Sequence, residues 1–404
     1  MTPAMTFDTD QFRSTLRSHL QTTGAPRISM GLPVESTWDR RRHAQIQLRT
    51  LLDTVVDTME QHRLTPSDLD ALLAPATDLL DGTAFWSEPA EGVLFLLAPE
   101  GPEHSLVRRL PFAPAPFATV DAHYNIRPIW RHLQPDHMFY ILALSAGGVE
   151  LYRASRYTIE TVPLTDVPTT LEEAQQYDEH SRSIGFHTGT RPGAGSDSGK
   201  RAAQYFGYED AGDKAFVKEG ILRFFRTLDN GVRDVLSQDA TPAPLFLAGT
   251  DALRGLYRKV NQYPHLHDTD IDTAPQNGAE RAWDEAALHE RGWDLLQPQA
   301  EADRASALNQ FHSSPERTAA NVGSVLLAAA DGRVDTLFAT DEHEAWGQYD
   351  AAQYSVEVHP HREPEDIEMM NAAVLHTLQS GGTVYIDDAD ALPDGTPIAA
   401  LLRY

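Results

Sequence analysis

The sequence predicts a multidomain protein of mixed class, α+β at its N-terminal end and α/β beyond it. Three observations point there. At 404 residues the chain is too long for one ordinary domain. Its 41% hydrophobic and 23% charged residues are ordinary for globular protein, so each part can bury a core. Short apolar runs of strand length also alternate with stretches of helical periodicity along the chain.

In chain order, 8–20 and 44–62 carry the helical period. In the second, Ile46, Leu48, Leu51, Leu52, Val55, Val56 and Met59 recur at helical spacing. Between them 27–34 (RISMGLPV) reads as a strand. A third helix runs from Ser67, its expected N-cap, to about Leu80. Strands are expected at 92–98, 105–110 and 117–121, closing an α+β domain over 1–130. A second domain is expected over 131–264. It opens with strands at 138–145, 148–153 and 157–162, the first pair joined at Ala146-Gly147-Gly148. A polar, Gly-rich stretch follows. Then come an amphipathic helix at 214–237, a buried strand at 245–248 and a helix at 253–260. Residues 265–279 are polar and contain Pro and Gly, and read as a linker. A third domain is expected over 279–404. It starts with a long helix to about 312 and an apolar segment at 318–330. A strand at 336–339 and a helix at 367–379, stopped by Ser380-Gly381-Gly382, come next, then strands at 384–386 and 398–402.

Composition excludes several functions. The absence of cysteine removes disulfides, thiolate metal sites and cysteine nucleophiles, and fits a cytoplasmic protein. No run of about 18 apolar residues is present, so no transmembrane helix and no membrane partner is expected. The first dozen residues lack a basic region followed by an apolar one, so no signal peptide is expected. With 33 Lys and Arg against 59 Asp and Glu, the formal charge is −26. Such a chain binds nucleic acid only through local basic islands.

Four stretches, in this order, resemble the bacterial archaeo-eukaryotic release factors, relatives of eukaryotic class 1 release factors and of Pelota. They are PRISMGLPVESTWDRRRHAQIQLRTLL (26–52), FYILALSAGGVELYRASRYTIETVPL (139–164), GKRAAQYF (199–206) and MMNAAVLHTLQSGGTVYI with IAALLRY (369–404). The resemblance implies an RNase-H-like middle domain and an α/β/α sandwich at the C-terminal end. It implies a ribosome-associated factor that binds the A-site region, meeting rRNA and tRNA, with an elongation-factor-Tu-type GTPase as protein partner. It also implies a middle-domain loop bearing Gly-Gly-Gln for peptidyl-tRNA hydrolysis. The glycines there let the backbone approach closely, and an amide can stabilise a developing oxyanion.

This sequence departs from that pattern. The loop stretch, 187–200, has glycines at Gly189, Gly193, Gly195 and Gly199 but no Gly-Gly-Gln. Its chemistry points to grip rather than hydrolysis. From Arg182 to Arg226 eight Lys and Arg outnumber the acids, among them Arg191, Lys200, Arg201, Lys214 and Lys218. A second island, Arg40, Arg41 and Arg42, opens the long helix of the first domain. Both islands are candidate RNA contacts. The expected role is therefore rescue, hibernation or atypical termination without that hydrolysis. His187 is the one weak catalytic candidate, for an alternative in which the loop hydrolyses peptidyl-tRNA or RNA. A third alternative is a stress-linked protein-binding module presenting the acidic third domain.

Other motifs carry less. Gly193–Lys200 lacks the hydroxyl residue a P-loop needs after its lysine, since Arg201 follows. Gly195-Ser-Asp-Ser-Gly199 centres on Asp197, where a nucleophile elbow needs serine. The cluster from His265 to Asp272, the run Asp341-Glu-His-Glu344 and the pair His359 and His361 read as polar surface, not metal ligands. No cofactor and no metal are expected.

Overall fold

In the computed structural model, residues 7, 9–19, 26–34, 40–59, 65–82, 84–101, 104–134, 138–145, 147–165, 167–174, 211–238, 242–273, 283–363 and 365–404 are described. The chain forms two compact units. One joins Met1–Asp136 to Pro298–Tyr404, and the other is His137–Gln297.

In the first unit, the N-terminal segment builds an antiparallel sheet of order β3-β2-β1-β4, from Arg27–Pro33 (β1), Gly92–Leu97 (β2), Leu106–Leu110 (β3) and Phe117–Asp121 (β4). A short helix, Thr9–His19 (α1), precedes it. Helices Arg40–Met59 (α2) and Pro66–Asp81 (α3) cover one face. Alternation sends Ile28, Met30, Leu32, Val93, Phe95 and Leu97 to that face, where they meet Leu48, Leu52, Val55, Leu72 and Ala76. The cap of α3 is Thr65, two residues before the expected Ser67. Its hydroxyl accepts from the Asp68 amide, and Pro66 takes the first helical position.

The C-terminal segment of this unit holds a mixed sheet of order β14-β10-β15-β9. Its strands are Thr318–Ala319 (β9), Val334–Ala339 (β10), Thr383–Ile386 (β14) and Ile398–Leu402 (β15). Phe338, Tyr385 and Ala399 line one face, under Leu308 and Phe311 of the helix Glu285–Ser313. Leu337, Val384 and Ala400 are buried on the opposite face, beside helices Val322–Ala330 and Met369–Gln379. The expected stop at 380–382 is present. Gly381 sits at φ +77°, and the Gly382 amide donates to Thr377 at 2.8 Å. Three strands were not expected: Trp346–Asp350 (β11), Ser355–His359 (β12) and Ile367–Glu368 (β13), an antiparallel sheet of order β12-β11-β13. Their side chains are mostly half-buried or exposed, so no unbroken apolar run marks them.

A short helix, Arg127–Leu133 (α4), also unforeseen, ties the two segments of this unit together. Arg127 is buried and meets Glu368 at 2.8 Å, while donating to the carbonyls of Thr340 and His343. Trp130 donates to the Val384 carbonyl, and Arg131 pairs with Asp341 and Asp388. Asn371 donates to the Tyr124 carbonyl and accepts from the Ile126 amide.

The second unit is built on a sheet of order β7-β6-β5-β8, from Phe139–Ser145 (β5), Gly148–Ala154 (β6), Ile159–Val162 (β7) and Leu245–Gly249 (β8). β5, β6 and β7 form an antiparallel meander, and β8 joins β5 in parallel. The crossover between them contains the helix Ala211–Leu236 (α5). The stretch expected as a linker is in part structural. Residues 266–271 run parallel to β8 through bridges Leu245↔Leu266 and Ala248↔Ile271. Only Leu266 and Ile271 in that run are apolar, and they hold it, so the polar letters between them hid it. One core lies under α5, and the other holds Phe139, Ile141, Phe246, Trp283, Leu288 and Leu296.

Candidate nucleic-acid interface

α5 is the element that carries the larger basic island. Its apolar residues Ile221, Phe224, Phe225, Leu228, Val232 and Leu236 recur at helical spacing and pack on Leu142, Leu144, Leu245 and Leu247. Full burial of each such side chain is worth about 1.5–3 kcal/mol, so the apolar stripe fixes which face turns outward. A buried carboxylate pins it further. Asp229 accepts from Tyr257 at 3.0 Å, from the Gln262 amide at 3.2 Å, and pairs with Arg233.

The face left outside presents Glu219, Arg223, Arg226 and Asn230. At about 3.6 residues per turn, Lys218 falls about a third of a turn away from the Arg223–Arg226 pair, and it too is exposed. Neither Lys218 nor Arg226 has an ion-pair partner among the described residues. The structure therefore splits what the sequence presented as one basic run. Lys214 is in the first turns of α5, and its side chain is outside the described residues. His187, Gly189, Arg191, Gly193, Gly195, Gly199, Lys200 and Arg201 also lie outside them.

The smaller island opens α2. Arg40 starts the helix, and Arg41 and Arg42 follow in its first turn, with no acidic residue there. Positive charge at a helix N-terminus opposes the macrodipole by about 0.3–1 kcal/mol per group, so helix stability does not explain the run. Arg42 is exposed, as are Ile46 (56%) and Arg49 along the same stripe. Arg42 and Arg49 have no carboxylate partner among the described residues. Arg223, Arg226 and Arg49 belong to the basic islands read in the sequence, whereas Ile46 was counted only in the apolar spacing of its helix. The burial pattern adds that all four are exposed.

The polar motifs set aside in the sequence have structural roles. His267 lies against the Phe246 ring, and Asp270 pairs with Arg258. His359 sits 3.0 Å from both oxygens of Asp366, which pushes the imidazole pKa upward. Asp341 holds Arg131. No group of three or more His, Asp or Glu suited to a metal occurs among the described residues. No described helix is long and apolar enough to cross a membrane.

Residues 139–298 match the model of bacterial archaeo-eukaryotic release factor family 7. The resemblance to the bacterial archaeo-eukaryotic release factors is thereby shown, through the segment that holds β5, α5 and β8. No curated protein matches the chain. Among solved structures, the archaeal translation termination factor aRF1 is 12% identical, with TM-score 0.24, over 98% of this chain and 99% of that one. Thermoplasma acidophilum Pelota is 11% identical, with TM-score 0.25, over 98% and 94%. S. cerevisiae Dom34, a translation termination-like factor, is 11% identical, with TM-score 0.32, over 74% and 73%. Overlaps this loose carry no argument about function.

Proposed function

We propose that the chain is a ribosome-associated translation factor. It binds the A-site region in rescue, hibernation or atypical termination, without Gly-Gly-Gln hydrolysis. The observation that carries this is the conjunction of the family match over 139–298 with an outward-facing Arg223–Arg226 pair on α5, in a chain of charge −26. A strongly acidic protein that turns guanidinium groups outward on one helix face has a local means of holding phosphates. The strand order β7-β6-β5-β8, extended by 266–271, suits an RNase-H-like middle domain. In this reading the 187–200 loop stretch, with Arg191, Lys200 and Arg201, precedes α5 and adds to its grip, and Arg40, Arg41 and Arg42 make a second contact. The protein partner is an elongation-factor-Tu-type GTPase. Exposed Glu342, Glu344, Glu357, Glu363 and Glu365 support a partner with a basic surface.

The test is co-sedimentation of the purified chain with idle and stalled ribosomes across a salt series. Binding should weaken with salt. Neutralising Arg223 and Arg226 together should lower the log–log salt slope by about two, one for each lost phosphate contact. Binding with an unchanged slope in that variant would remove α5 from the interface.

A further inference from the structure

The second unit contains a crevice of about 570 Å³, lined mainly by residues with polar side chains, that the ribosome reading does not use. That size lies in the range of small-molecule sites, about 300–1,000 Å³. It is lined by Gly249, Thr250, Asp251, Arg254, Asp272 and Thr273, with Arg291 from the helix Glu285–Ser313. It lies past the C-terminal ends of the parallel segments β8 and 266–271, where open α/β sheets bind ligands. Gly249 forms part of its wall at φ +131°, and a Cβ there would fall 2.3 Å from the Leu144 carbonyl oxygen.

The lining carries spare donors. Arg291 donates to the Asp272 carbonyl, but no carboxylate pairs with it among the described residues. Thr250 precedes the helix Asp251–Tyr257 without making a capping bond through its hydroxyl. The Thr273 hydroxyl has no partner among the described residues. Arg254 is 7% exposed. It donates to the Ile271 carbonyl and, through its other terminal nitrogen, to Asp251. Its Nε–H makes no hydrogen bond, although Asp270 lies 3.6 Å away. The Asp251 side chain is 96% exposed, so its hold on Arg254 is that of a solvated carboxylate and is easily exchanged. The Asp272 residue is also exposed, which lets its carboxylate turn to water.

We infer that this crevice binds a small molecule carrying a phosphate or diphosphate. Arg291 and the Arg254 terminal nitrogen now held by Asp251 donate to its oxygens, and Thr250 and Thr273 complete the set. Two guanidinium groups with hydroxyl donors suit a tetrahedral oxyanion, and an entering phosphate takes the place of the exposed Asp251 carboxylate. The inference goes beyond the ribosome reading. A chain that never co-sediments with ribosomes can still bind phosphate here, and the reverse.

Calorimetric titration of the full chain with inorganic phosphate and pyrophosphate tests it, with adenosine as the uncharged control. The two variants have opposite expected signs. Arg291→Gln should weaken binding by about tenfold or more, the effect of losing one charge-assisted contact. Asp251→Asn should strengthen it by removing the competing carboxylate. Both residues are exposed, and an unchanged Tm confirms that each variant folds. Failure of both anions to bind would overturn the proposal. So would binding that neither variant alters, or adenosine binding as tightly as pyrophosphate.

Discussion

Arg127 and Glu368, from distant parts of the chain, meet at 2.8 Å with both side chains almost wholly buried. The arginine is satisfied by the carbonyls of Thr340 and His343. The glutamate accepts from the amides of Ala345, Met370 and Asn371 and caps the helix Met369–Gln379. Burial pushes the Glu368 carboxyl upward, against the pull of Arg127 and of the Ala345 and Asn371 amides. Removing one partner strands the other charge. Arg127→Met should therefore lower the stability of the first unit by about 3–5 kcal/mol in urea unfolding. Adding Glu368→Gln should cost less than the sum of the two single changes, because the two side chains form one network. Asp121 lies beside this pair and accepts from the Glu368 amide at 3.0 Å. Burial raises its pKa from 3.8 to about 6. A raised carboxylate binds its proton more tightly in the folded chain. Its contribution is thus fully present below about pH 4 and is lost as pH rises through about 6. Urea midpoints from pH 4 to 7 should fall more steeply for the natural chain than for Asp121→Asn, and parallel curves would contradict the assignment. None of this was legible in the sequence. Arg127 sits in a short polar-looking run, RPIWRHL, and its burial depends on partners more than two hundred residues away.

At the scale of elements, the strongly periodic segments were readable. α5 and α2 follow their apolar spacing, and β2, β5 and β8 follow their unbroken apolar runs. What failed did so for physical reasons. β11 and β12 are short, and their half-buried or exposed side chains give no unbroken apolar run. The stretch 266–271 is held by two apolar anchors and by backbone bonds, such as the Ile271 amide to the Leu247 carbonyl at 2.8 Å. For the candidate interface, the sequence supplied the excess of basic residues but not their direction. Burial of Phe224, Phe225 and Leu228 turns Arg223 and Arg226 outward and leaves Lys218 apart from them. β8 ends at a position only glycine fits, with positive φ and the Leu144 carbonyl close by. Gly249→Ala should lower the stability of the second unit by more than the fraction of a kcal/mol that alanine gains where glycine is not required. Denaturation followed by circular dichroism would check this.

At the scale of the molecule, a chain expected as three successive domains is arranged as two compact units, one of them assembled from both ends of the sequence. The segment 1–136 leaves Trp130, Arg131 and Ile126 beside partners that only 298–404 provides. Expressed alone, 1–136 should unfold at lower urea than the same segment in the full chain, and adding 298–404 in trans should restore part of the loss. In the proposed role this acidic chain meets the ribosome through local basic faces. Co-sedimentation with idle and stalled ribosomes tests it most directly, comparing the natural chain with a variant in which Lys200, Arg201, Arg223 and Arg226 are neutralised. Salt-sensitive pelleting of the natural chain, and its loss in the variant, are expected. Absence of pelleting with either kind of ribosome, at low salt, would contradict it.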